Sequence, residues 1–262
     1  MLHVGVIADL HCGHKKGIVP PAWQDSADQE ERWRLYHHMV MARKRVAPID
    51  LLVNNGDAIE GKGLRSGGTE LVTTDRIVQI EMAKVAIELW EPKEVLMTYG
   101  TASHTGVDED FEDILAKDLG ARIKGELFLE LEGVPCSFKH KVGGSAAAPH
   151  TRWTTLMKEK TWDFVWAHEK KQHPDSQVLV RSHVHYHVYG GKKGLAPWVA
   201  LTTPALQGLG SKFGERICSG LVDWGITWML FSNGELTDWD VEMITVEQEK
   251  DEVLRIDSGT VH

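Results

Sequence analysis

The residues best suited to chemistry are histidines and aspartates, and they fall in tight groups among the fourteen histidines of the chain. Asp9-Leu10-His11 closes the stretch that opens with HVGVIAD (3–9), and Gly56-Asp57 closes the apolar run IDLLVNNGD (49–57). His104 sits in GTASHTG (100–106), His140 in FKHKVGG (138–144), and Ser182-His183-Val184-His185 follow SQVLV. Side chains two residues apart on an extended chain project to the same side, so Asp-x-His and His-x-His each present two ligand atoms together. Carboxylate and imidazole donors without cysteine suit Mn, Fe, Zn or Ni rather than a structural thiolate site. A lone aspartate between two cations reaches both through its two oxygens. Two cations ~3.5–4 Å apart clamp a phosphate and lower the pKa of the water between them, which gives a hydroxide poised for in-line attack.

Residues so far apart in sequence meet only if the fold brings them to one rim, and the elements predict such a rim. HVGVIAD, IDLLVNN and EVLMTYG (94–100) read as strands. A helix over 28–47 carries Trp33, Tyr36, Met39, Val40, Arg43 and Val46. A second runs from a Thr73 or Thr74 cap to Trp90, with Ile77, Ile80, Ala83, Ile87 and Trp90 on one face, and an acidic third spans 108–119. Strand–helix alternation predicts a parallel α/β sheet, whose ligands bind beyond the carboxyl ends of the strands. From residue 122 the pattern is strand-rich: 126–132, 135–142, 176–183 and 197–203, with a helix near 151–171. LVDWGITWMLF, Asn233-Gly234 and ELTDWDVEMI form a closing hairpin with a type I′ turn signal. The expected architecture is a single domain, 1–262, of class α/β. It is a four-layer αββα sandwich of two mixed sheets flanked by helices, with the hairpin (about 221–246) in the second sheet.

In order and spacing these motifs resemble the calcineurin-like metallophosphoesterase superfamily, with its D-x-H, G-D, G-N-H-[DE], H and G-H-x-H signature. The matches are Asp9-Leu10-His11, Gly56-Asp57, His140 and Ser182-His183-Val184-His185, over residues 3 to about 205. The resemblance implies one metal held by Asp9, His11, Asp57 and His185, and a second by Asp57, His140 and His183. It makes His104 the catalytic histidine that steadies the transition state or protonates the leaving oxygen. The implied cofactors are two divalent ions, Mn2+ first, with Fe, Zn, Ni or Mg as alternatives. Gly100-Thr101-Ala102-Ser103-His104 departs from the family by lacking its asparagine ligand, so either Thr101 or Ser103 stands in its place. A hydroxyl is a weaker ligand than an amide oxygen, which predicts a looser second site or an extra water there. Ala58-Ile59-Glu60-Gly61-Lys62-Gly63 after Asp57 lacks the Asp-Arg-Gly of protein phosphatases. The GDAIEGKG and GTASHTG loops look most like those of phage and prophage members, which implies a (host) cytoplasmic location.

The resemblance implies hydrolysis of phosphate esters, with a phosphodiesterase preferred because the helical cap of monoesterases is missing. A nuclease acting on DNA or RNA ends and a metal-binding module without catalysis are the alternatives. His14 and His187 lie close enough to the motifs to touch metal or substrate, and His150 less so. His3, His37, His38, His168 and His173 read as structural or solvated. Lys62 and Arg65, in the glycine-rich loop 61–68, are within possible reach of a substrate phosphate, although a plain surface loop explains them as well. Glu109, Asp110, Glu112 and Asp113 read as charges favoured in a first helical turn, and the ten tryptophans as core.

Composition narrows the field further. The chain has 262 residues, 42% apolar and 26% charged, which excludes a disordered or fibrous protein. No run of ~18 apolar residues is present, so no membrane-spanning helix is expected, and the N-terminus does not read as a signal peptide. Lys and Arg number 29 against 38 Asp and Glu, a net charge of −9 that argues against broad affinity for nucleic acid or anionic membranes. Three scattered cysteines, Cys12, Cys136 and Cys218, fit a reducing compartment. The partner expected is a phosphate-ester substrate, a nucleotide or nucleic-acid end included, and no membrane; the oligomeric state stays open.

Overall fold

The structure, a computed structural model, describes residues 1–24, 29–64, 66–106, 109–143, 149–170, 173–191, 198–208 and 222–244; Arg65 and Cys218 lie outside them. Strand β1 (Leu2–Ile7) is followed by α1 (Gln29–Val46), β2 (Leu51–Asn54), α2 (Arg76–Glu88), β3 (Glu94–Thr98), the single turn α3 (Ala102–Thr105), α4 (Phe111–Asp118) and β4 (Arg122–Lys124). These four strands lie parallel in sequence order, because each helical crossover returns the chain to run in the same direction. Then come β5 (Leu127–Leu131), β6 (Val134–Lys141), α5 (Arg152–Val165), β7 (Val178–Ser182), β8 (Val188–Gly191), β9 (Val199–Thr202), β10 (Trp224–Ser232) and β11 (Glu235–Ile244). The result is two mixed sheets, ordered β11-β10-β1-β2-β3-β4 and β5-β6-β7-β9-β8.

Alternation along the strands sorts side chains into layers. Leu51 and Val53 of β2 meet Val178 and Val180 of β7 in the core between the sheets. Leu52 points the other way, into a second core with Leu35 and Met39 of α1 and Ile80, Ala83 and Ile87 of α2. Leu179 of β7 and Ala200 of β9 pack outward on Leu156 of α5. Helices, sheet, sheet and helix are therefore the four layers expected, and each is held by apolar burial on its facing side.

The closing hairpin is a correction: it belongs to the first sheet. β10 pairs antiparallel with β1, Val4 opposite Met229 and Val6 opposite Thr227. Met229 and Phe231 enter the core between the sheets, while Trp224 and Ile226 face the helices. A strand buried on both faces belongs in the helix-flanked sheet, where β1 leaves an edge for it. Asn233 and Gly234 both take positive φ, 53° and 80°, as a type I′ turn requires. Two strands had no usable sequence signal: β4 has three residues, and β8 ends in two glycines. The helix from 152 keeps α geometry only to Val165 and continues in π form over Trp166–Lys170.

The tryptophans also divide differently from the expectation. Trp90, Trp224 and Trp239 are core, whereas Trp33, Trp153, Trp162 and Trp166 are exposed. Helical spacing alone does not say which face of a helix is covered. Among the described residues no helix is long and apolar enough to cross a membrane.

Candidate metal centre

The candidate site lies beyond the carboxyl ends of β1, β2, β3 and β7, beside the end of β6. Past β1 and β2 the two loops keep pairing. Asp9 N–H donates to Gly56 O and His11 N–H to Asp57 O, both at 3.0 Å, and Glu60 N–H donates back to Cys12 O at 3.1 Å. That interlock sets Asp9 and His11 beside Asp57. Asn55 joins the sheets behind them: its amide donates to Ser182 Oγ at 2.7 Å and Lys139 O at 3.1 Å, and its oxygen accepts from Thr98 Oγ1 at 3.0 Å.

Three groups of ligand-type side chains result among the described residues: His11 with Glu60 and His104, and two clusters of the expected ligands. In the first, Asp9 Oδ1 is 3.1 Å from His185 Nε2 and 3.8 Å from His11 Nε2. In the second, Asp57 Oδ2 is 2.9 Å from His140 Nε2 and 4.0 Å from His183 Nδ1. His140 Nδ1 donates to Asn55 O at 2.8 Å, because a carbonyl only accepts, and so Nε2 is turned to Asp57. His11 Nδ1 is 2.7 Å from Glu60 Oε2, which orients Nε2 toward Asp9 in the same way.

The backbone and the buried polar atoms both mark this rim. Among the described residues eight non-glycine positions have positive φ. Five are Asp9 (53°), His11 (44°), Asp57 (53°), His183 (76°) and His185 (53°). Such conformations cost on the order of 1 kcal/mol or more each, and they persist where the surroundings impose them for function. Asp9 Oδ1 and His11 Nε2 are buried without a hydrogen-bond partner, and both point into the first cluster. A buried carboxylate oxygen and imidazole nitrogen without hydrogen-bond partners are the donors a divalent cation satisfies, so the residues present fit a metal.

Charge agrees with that donor set. Burial raises the pKa of Asp9, but the His185 and His11 imidazoles outweigh it and hold the carboxyl well below the carboxylate range. Burial likewise opposes the ionisation of Asp57, and His140 and His183 reverse the effect. Burial would lower His140, yet the Asp57 carboxylate takes it up to about 9. The proton that this holds on His140 occupies an atom a metal would use, so binding there must release it and tightens as pH rises.

His104, on α3, stands edge-on to His11 with ring centroids 4.7 Å apart. Its Nδ1 lies 3.2 Å from Glu60 O and 3.5 Å from Glu60 Oε2. Between the two hydroxyl candidates the geometry favours Thr101. Its Oγ1 is 3.2 Å from Asp57 Oδ2, 3.3 Å from His140 Nε2 and 3.2 Å from His183 Nδ1, whereas Ser103 is exposed on the outer side of α3. His14 and His187 are not part of either cluster. His14 is buried beside Glu70, 3.8 Å away. His187 Nδ1 bonds Thr202 O at 2.7 Å, and its ring meets Tyr189 and Trp239. Cys12 is fully buried and its thiol is pushed up by burial, as a packing residue requires.

Two carboxylates at the site had no sequence signal. Glu60 bridges His11 and His104, and a single acid between Ile59 and Gly61 has no spacing that marks it. Glu112 corrects the reading of the α4 acids: Asp110 caps that helix, but Glu112 is fully buried. It accepts from Ala58 N–H at 2.8 Å and Gly100 N–H at 2.7 Å, which ties the Asp57 loop to the His104 loop.

At Gly100 those two loops are in close contact. A Cβ there would stand 2.3 Å from Asp57 Oδ1 and 2.4 Å from its backbone nitrogen. Gly100→Ala is expected to push Asp57 out of place and destabilise the protein by about 1–3 kcal/mol, the usual cost of overpacking. Calorimetric metal titration of the variant should show the Asp57–His140–His183 ion weakened; wild-type affinity there would refute the close approach.

No family model matches the sequence, and no curated protein matches it. Among solved structures the chain is similar to an archaeal phosphodiesterase, with 10% identity and a TM-score of 0.48 over 93% of this chain and 100% of that one. It is similar to wild-type Vps29 from Entamoeba histolytica complexed with zinc, with 12% identity and a TM-score of 0.45 over 93% and 98% of the two chains. Vps29 from Chaetomium thermophilum gives 11% identity and a TM-score of 0.43 over 93% and 97%.

Proposed function

We propose that this chain is a calcineurin-like metallophosphoesterase that hydrolyses phosphodiesters with two divalent cations, Mn2+ the first candidate. The convergence of Asp9, His11, Asp57, His140, His183 and His185 into two abutting clusters, five of the six on left-handed backbone, supports this reading most. Asp9, His11 and His185 would hold one cation, and His140 and His183 the other, with Asp57 shared between them. When bound, the cations supply positive charge for the phosphate oxygens and acidify a water held between them.

The rest of the chemistry belongs to the protein. Glu60 Oε2 and Asn55 O fix the tautomers of His11 and His140, so each presents Nε2 inward. His104 donates to Glu60 O through Nδ1, which leaves its Nε2 to carry a proton to the departing ester oxygen. Thr101 closes the far side of the second cluster with a hydroxyl where the family carries an amide. The loop after Asp57 lacks the protein-phosphatase Asp-Arg-Gly, which supports a diester in place of a phosphoprotein.

Turnover of an aryl phosphodiester and of the matching monoester, with Mn2+ added or chelated, tests the reading. Metal-dependent release from the diester, absent in chelator, is expected. Turnover of the monoester alone would keep the centre and overturn the substrate class. Stoichiometric metal with no turnover of either, or of a labelled oligonucleotide, would identify a metal-binding module instead.

A further inference from the structure

We propose that the cleft beside His104 binds a second phosphate carried by the leaving fragment, so that the substrate is a phosphodiester whose departing alcohol is itself phosphorylated. This deepens the phosphodiesterase reading and rests on it. The cleft has a volume of about 430 Å³, and its walls include Lys62, Arg76, Ser103, His104 and Glu109. His104 is thus shared: it touches the Glu60–His11 side of the candidate centre and also forms part of this wall. An ester oxygen protonated by His104 must lead away from the metals, and the cleft is the space His104 opens onto.

Its charge differs from that of the chain. The protein carries −9 overall, yet among the described residues of this wall two cations face one carboxylate, Glu109. Among the described residues neither Lys62 nor Arg76 forms an ion pair. Arg76 is held in place without one. Its guanidinium carbon lies 3.6 Å from the centroid of the Phe111 ring, and a Cβ on Gly106 would come within 3.4 Å of Nη1. Arg76 is also the first residue of α2, where the helix dipole disfavours a cation, so helix stability does not explain it. A stacked guanidinium offers a planar fork to two phosphate oxygens, and a lysine beside it adds a mobile point charge. A dianionic phosphate uses both.

The reaction balances as an ordinary hydrolysis. The water oxygen bonds to phosphorus and gives up one proton to solvent, the bond from phosphorus to the leaving oxygen breaks, and that oxygen takes a proton from His104, which solvent then restores. The second phosphate leaves intact on the alcohol.

Two probes separate the possibilities: methyl glyceryl phosphate, and the same diester with the far glycerol hydroxyl phosphorylated, followed by 31P NMR with Mn2+. The phosphorylated diester is expected to show a kcat/KM about tenfold higher. Arg76→Ala and Lys62→Ala should each cut that preference several-fold, with Arg76→Lys between them and wild type. Glu109→Gln should raise it. Independently of turnover, calorimetry in chelator should detect glycerol 3-phosphate and not glycerol, with affinity weakened about tenfold by Arg76→Ala. Equal turnover of both diesters and no effect of Arg76→Ala on their ratio would overturn the anion subsite and leave the phosphodiesterase reading standing. Arg76-dependent binding of glycerol 3-phosphate without turnover of either diester would support the cleft and overturn the hydrolase. Neither binding nor turnover would overturn both.

Discussion

Asp57→Asn is expected to lower metal-dependent diester turnover by about 10³-fold or more, since a shared cation ligand carries several kcal/mol of charge stabilisation and each ~1.4 kcal/mol is tenfold in rate. The substitution isolates charge from shape. Asp57 sits at φ 53°, a conformation asparagine tolerates as well as aspartate does. The Thr101 N–H bond to Oδ1, at 2.6 Å, survives with an amide oxygen in the same place. The negative charge facing His140 and His183 is what disappears. The pKa of His140, held up at about 9 by that charge, should fall toward the ordinary range, and NMR titration of the metal-free variant would follow it. Metal titration should lose an ion, while thermal unfolding in chelator stays within a few degrees of wild type. A variant that kept turnover within tenfold would remove Asp57 from the chemistry and with it the shared-ligand reading.

That the six ligand candidates were legible, while much around them was not, follows from what sequence spacing encodes. Asp9, His11, Asp57, His183 and His185 each fall one to four residues past a strand, and a parallel sheet carries all strand ends to one edge. Their positions are consequences of topology, and topology follows from hydrophobic period. Glu60 and Glu112 depend instead on how loops fold back over that edge, which no period records. Glu112 has the composition of an ordinary helix start, and only the approach of Ala58 and Gly100 N–H gives its carboxylate a buried role. Thr101 and Ser103 were equally plausible until α3 began at Ala102, which turned one hydroxyl inward and the other out. The hairpin was recognisable through Asn233-Gly234, but its sheet was not. Local turn chemistry fixes which two strands pair, while the third neighbour, β1, lies more than two hundred residues away in sequence.

Glu112→Gln should show what holds the Asp57 and His104 loops at their spacing. Burial, then repulsion from Asp57, raises the Glu112 carboxyl from the ordinary 4.5 to about 8, although the two N–H donors favour its ionised form. A carboxyl raised in the folded state binds its proton more tightly there than in the unfolded chain. Its contribution to stability is therefore complete below pH about 4.5, falls as pH rises toward about 8, and is flat above. His140, raised from 6.5 to about 9, acts in the same direction between those pH values, so these two groups together cost metal-free protein stability as pH rises from about 4.5 to about 9. In Glu112→Gln that slope should become shallower. The amide keeps one acceptor oxygen for one N–H and turns an NH2 toward the other, which costs about 1–3 kcal/mol at low pH, where wild-type Glu112 is neutral and both its oxygens still face N–H donors. The two stability curves should consequently approach each other as pH rises. Adding Mn2+ should move the wild-type break to lower pH, because cations beside Asp57 offset the repulsion that holds Glu112 protonated. Denaturant unfolding from pH 4.5 to 9, with chelator and then with Mn2+, measures all three effects. Parallel curves for the two proteins would mean that Glu112 does not titrate in the fold. A turnover loss in Glu112→Gln larger than its loss of bound metal would place its effect in the spacing between Asp57 and the His104 loop, where its two hydrogen bonds lie.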